Sequence, residues 1–115
     1  MAIMNRNLER ETPLMRQIRD ALSRTGRCTL WRNICGVDVT RGVRYGLGVG
    51  SADLVGFIHG AARALFIEVK TSTGRISPEQ HAWIEFVRSK GAAAYVVRSV
   101  PEALAALEDA CKLTR

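Results

Sequence analysis

The sequence predicts a mixed α/β fold, a central β-sheet with helices on both faces, and three observations carry that expectation. The stretch from Leu65 to Val97 reads as strand, helix, strand, which is by default a right-handed parallel crossover. Two apolar runs, Leu54-Val55-Gly56-Phe57-Ile58 and Ala64-Leu65-Phe66-Ile67-Glu68-Val69, flank His59-Gly60-Ala61-Ala62 and form an antiparallel hairpin. Helix starts are marked where a hydroxyl residue precedes a proline, at Thr12-Pro13, Ser77-Pro78 and Ser99-Val100-Pro101. The expected order is α-β-β-β-α-β-α, with residues 1–10 a flexible arm and 11–115 a single domain.

Each element has a local cause. Thr12 caps the first helix, Leu14, Ile18, Ala21 and Leu22 recur at helical spacing, and Gly26 ends it. Glu11 stands at its start, where the positive end of the helix dipole suits a carboxylate and where it projects from the side of the buried stripe. Cys28 to Asn33 is a strand with Leu30 and Trp31 on opposite faces. Between Gly36 and Gly50 the chain is glycine-rich and basic, consistent with a phosphate-approaching loop or with an irregular strand and turn. After a polar loop, Ser77 and Gln80 form a capping box for a helix to about Lys90, with Trp83, Phe86 and Val87 inward. Ala93 to Val97 is a strand, and the last helix buries Leu104 and Leu107.

The hairpin carries the chemistry. With the turn centred between Gly60 and Ala61, cross-strand partners have numbers that sum to 121, so Asp53 stands opposite Glu68. Like charges at that spacing destabilise a sheet unless something neutralises them, and a divalent cation does so. Alternation places Glu68 and Lys70 on one face and Leu65, Ile67 and Val69 on the other. One strand end thus presents two acids and an ammonium; the alternative is a solvated edge with a weak ion pair. Gln80, explained by its cap, lies near where a ligand on Glu68 and Lys70 would sit.

Composition bounds the function. Apolar residues make up 47% and charged ones 24%, which suits a globular fold rather than disorder. No apolar run approaches the ~20 residues of a membrane span, and the N-terminal residues lack the apolar core of a secretory signal, so an intracellular, cytoplasmic protein is expected. Cys28, Cys35 and Cys111 have no paired spacing and only His59 and His81 accompany them, which does not indicate zinc. The net charge is +6, and from Arg16 to Arg44 seven arginines face only Asp20 and Asp38. That excess of guanidinium groups points to a polyanion, with Arg32, Arg41, Arg44 and, beyond Lys70, Arg75 as expected DNA contacts. A basic DNA-binding module in which the acids are incidental is the alternative to an enzyme.

Taken together, Glu11 on the first helix, Trp31-Arg32-Asn33, Arg44-Tyr45-Gly46-Leu47, Gly50-Ser51-Ala52-Asp53-Leu54, Ile67-Glu68-Val69-Lys70 and Gly74-Arg75-Ile76-Ser77-Pro78-Glu79-Gln80 with Trp83 resemble a VRR-Nuc domain of the PD-(D/E)XK nuclease superfamily. The resemblance runs from Glu11 to Leu107 and implies a restriction-endonuclease-like core and a Mg2+- or Mn2+-dependent endonuclease. It further implies a stand-alone phage or bacterial protein, acting as a homodimer on flaps or four-way junctions. By the same resemblance Asp53, Glu68, Glu11 and the Val69 carbonyl are metal ligands, Lys70 lies beside the scissile phosphate, and Gln80 is the glutamine of the following helix. Glu9 competes with Glu11 for the helix-one role, and Ala52 stands where the superfamily has a proline.

Overall fold

The computed structural model describes residues 3–4 and 11–112; the remainder of the expected arm lies outside the described residues. In chain order the elements are β1 (Ile3–Met4), α1 (Pro13–Arg24), β2 (Cys28–Arg32), β3 (Gly36–Asp38), β4 (Val43–Tyr45), β5 (Leu54–Ile58), β6 (Arg63–Val69), α2 (Pro78–Ser89), β7 (Ala93–Val97) and α3 (Val100–Lys112). The main sheet has the order β2-β5-β6-β7. Its first three strands are antiparallel, and β6 and β7, joined through α2, are parallel. This is the mixed sheet the sequence predicts, consistent with a restriction-endonuclease-like core. The glycine-rich stretch resolves into a small hairpin, β3 with β4, to which β1 adds a third strand. Among the described residues no helix is long and apolar enough to cross a membrane.

The caps act as the sequence expects. Met15 N–H donates to Thr12 Oγ1 at 3.1 Å, and Glu102 N–H donates to Ser99 Oγ at 3.2 Å. At α2 the Gln80 N–H donates to Ser77 Oγ and the Ser77 N–H to Gln80 Oε1, closing the capping box.

One sheet face, built by Leu30, Leu54, Ile58, Leu65, Ile67 and Val97, packs against Ile18 and Leu22 of α1 and Ala103, Leu107 and Ala110 of α3. The opposite face meets α2, where Trp83 packs edge-on against Phe66 with ring centroids 4.9 Å apart. Two expected inward residues turn out exposed, Phe86 at 60% and Leu104 at 41%. In α2 the face toward the sheet carries Gln80, Trp83, Ile84 and Val87, and Phe86 falls outside that stripe. In α3 the buried stripe is Ala103, Ala106, Leu107 and Ala110, small side chains that let the helix approach closely and turn Leu104 outward.

Candidate active site

Leu54 pairs with Ile67 and Ile58 with Arg63, the register expected from the sequence, and continuing it by one step sets Asp53 against Glu68 at the ladder's end. Asp53 lies just before β5, and its carboxylate reaches across to the neighbouring strand: Oδ2 accepts from the Val69 N–H at 2.9 Å. Because Leu65 and Ile67 are driven into the core, Phe66 and Glu68 must point to the other face.

The segment that delivers Asp53 is held by one buried side chain. Asn33 donates through Nδ2 to Ser51 Oγ at 2.7 Å and to the Ala52 carbonyl at 2.9 Å, while its Oδ1 accepts from the Leu47 N–H. Its own N–H donates to the Asp53 carbonyl at 2.8 Å, extending the β2–β5 ladder to the acid itself. In the sequence Asn33 stands out only as a polar residue at the end of a strand, in the Trp31-Arg32-Asn33 motif, because its partners lie far along the chain. Gly50 adds a second constraint, since at φ +81° a Cβ would stand 2.4 Å from the Glu79 carbonyl oxygen. The loop before Asp53 is thereby seated on the first turn of α2.

Glu68 is 2% exposed. Its Oε2 accepts from Gln80 Nε2 at 3.0 Å and pairs with Lys70 Nζ at 3.2 Å. Gln80 therefore serves two ends with one amide, its oxygen closing the cap and its nitrogen holding Glu68. The other oxygen, Glu68 Oε1, is buried with no hydrogen-bond partner. Burial foremost, and next the charge of Asp53, push the Glu68 carboxyl up to about 7 against the opposing pull of Lys70. Burial likewise raises Asp53, opposed by the Val69 N–H and then by Lys70.

The remaining candidates divide. Arg32 is half-buried, its charge acts on Asp53, and its Nη2 is buried with no hydrogen-bond partner. Arg44 and Arg75 are exposed, and Arg41 is ion-paired with Asp38 at 3.1 Å. Arg98 fastens the loop after Lys70, donating to the Thr71 and Gly74 carbonyls at 2.6 Å each. Glu11 is engaged by Arg19 at 2.8 Å and Arg16 at 3.6 Å. Among the described residues no group of three or more His, Cys, Asp or Glu gathers, so Glu11 is not brought to the pair as a third acid, and Glu9 lies outside the described residues.

The donor set suits a hard cation that takes oxygen ligands. Two carboxylates adjoin, one with a buried oxygen lacking any partner. Among known families, the VRR-NUC domain matches the chain over residues 7–101. No curated protein matches the chain.

Proposed function

The chain belongs to the VRR-NUC domain family, nucleases of the PD-(D/E)XK type, and we propose that it is a Mg2+- or Mn2+-dependent DNA endonuclease whose cation is held by Asp53, Glu68 and the Val69 carbonyl. The observation that carries this reading is the partnerless buried Glu68 Oε1 beside Asp53: two carboxyl groups share one buried site, with the Lys70 ammonium 3.2 Å from Glu68 and the Arg32 charge acting on Asp53. A divalent ion, when bound, supplies Lewis acidity toward a phosphate oxygen and a lowered pKa for water.

The protein's own groups do the rest. The Val69 N–H fixes the plane of the Asp53 carboxylate, and Gln80 holds Glu68 in one rotamer. Lys70, with a side chain 17% exposed, is near enough to solvent to meet a phosphate and to neutralise charge developing on it. Arg32, whose charge acts on Asp53 and whose Nη2 has a hydrogen to give, is a guanidinium suited to a second phosphate contact.

Flaps or four-way junctions are the proposed substrates, recognised by DNA shape. A homodimer is the proposed assembly, because a two-fold pair of sites cuts two strands symmetrically. Such a substrate places the reaction inside a cell. The test incubates the purified chain with duplex, flap and junction DNA in Mg2+, Mn2+ or EDTA. Cleavage is expected only with metal, with preference for a branched substrate, and is expected to vanish in Asp53→Ala and Glu68→Ala while binding remains. Cleavage in EDTA, or in both variants, overturns the reading.

A further inference from the structure

The sheet face that bears Glu68 is only partly covered. Helix α2 shields Phe66, but over β2 and β5 two large rings lie bare, Trp31 at 57% and Phe57 at 40% exposure. They stack on each other, with centroids 6.2 Å apart and planes 29° off parallel. Phe57 leans in turn on the His59 ring at 5.3 Å, whose two nitrogens are engaged by Thr29 Oγ1 and the Gly26 carbonyl. The rings are therefore braced from one side and open on the other.

Their position relates them to the acids. Trp31 pairs with Val55, which lies two residues beyond Asp53 on the same face, a step of about 7 Å along the strand. The Trp31–Val55–Phe66 row is thus the next one after the row that carries Asp53 and Glu68. An aromatic surface in this place, in the arginine-rich part of a chain of net charge +6, suits a partner that alternates flat apolar rings with negative charge. A single nucleic-acid strand has that chemistry. A base inside a duplex does not offer its face, whereas an unpaired base does. A second copy of the chain fits less well here, because both copies would carry the same net charge of +6.

We propose that Trp31 and Phe57 form a stacking subsite for unpaired bases next to the scissile phosphate, so that the substrate is DNA with a single-stranded segment at the cut. The inference rests on the nuclease reading for its orientation toward the acids. Binding is measured in EDTA at fixed salt, with a short labelled oligo-dT strand and a blunt duplex of the same length as probes. Trp31→Ala is expected to weaken oligo-dT binding about tenfold and leave the duplex unchanged, with Trp31→Phe recovering most of the loss. Oligo-dT is also expected to quench tryptophan fluorescence in the wild type, and that quenching to disappear in Trp31→Ala.

Equal losses on both probes, no loss on either, or conversion of a dimer to a monomer by Trp31→Ala in sedimentation would overturn the subsite. The two ideas fail separately. A chain that binds oligo-dT through Trp31 yet cuts nothing in Mn2+ keeps the subsite and loses the nuclease reading. One that cuts in Mn2+ with no dependence of binding on Trp31 does the reverse.

Discussion

Replacing Glu68 with Gln should make the metal-free protein more stable at alkaline pH while abolishing cleavage. The carboxyl is pushed from its ordinary 4.5 to about 7 by burial and by Asp53, so the folded chain prefers it protonated. Its contribution to stability is complete below pH 4.5, where both folded and unfolded chains hold the proton. It is lost as the pH climbs through 7, because the unfolded chain ionises freely and the folded one ionises at a cost. At 1.36 kcal/mol per tenfold, the loss by pH 8 is on the order of 3 kcal/mol, a large share of the ~5–15 kcal/mol that holds a domain together. Urea unfolding in EDTA should therefore show wild-type stability falling from pH 5 to pH 8, opposite in sign to an ordinary salt-bridged carboxylate. Glu68→Gln, uncharged and still able to accept from Gln80 Nε2, should lack that fall. Adding Mn2+ should restore the wild type at pH 8 far more than at pH 5, and should do nothing for the variant. A wild type whose stability in EDTA is flat or rises over this range would refute the reasoning, as would a variant no steadier than wild type at pH 8.

Three further substitutions probe how the acids are held. Asn33→Ala removes the acceptor of the Leu47 N–H and both donors to the Ser51 and Ala52 segment, and should cost about 2–3 kcal/mol in urea unfolding and slow cleavage without touching the acids. Gly50→Ala drives a Cβ into the Glu79 carbonyl at a positive φ, so a loss of about 1–3 kcal/mol and a weakened α2 start are expected by thermal melting and amide exchange near Gln80. Gln80→Glu keeps an oxygen for the cap but replaces the donor to Glu68 with a third carboxylate; helix content by circular dichroism should persist while cleavage at pH 7 falls.

Much of this arrangement is written locally. The β5–β6 register is legible because a tight small-residue turn leaves one pairing that sends both Leu65 and Ile67 inward, and that pairing carries Asp53 to Glu68. The α2 cap is legible from Ser77, Pro78 and Gln80 alone. The β3–β4 hairpin is not, because its strands are only three residues long and show no alternation, the glycines around them reading equally as loop. Nor is the role of Asn33, whose side-chain partners lie 14 to 19 residues away and are brought together only when β2 pairs with β5. The rotation of α2 and α3 about their axes, which exposes Phe86 and Leu104, depends on which neighbour each helix meets, something periodicity within one helix does not encode.

The most direct measurement is calorimetric titration of the metal-free chain with Mn2+ at pH 8, beside Asp53→Ala. Saturable uptake of the ion by the wild type and none by the variant is the predicted result. No uptake by the wild type, or equal uptake by both, would contradict the claim that Asp53 and Glu68 together hold a divalent cation.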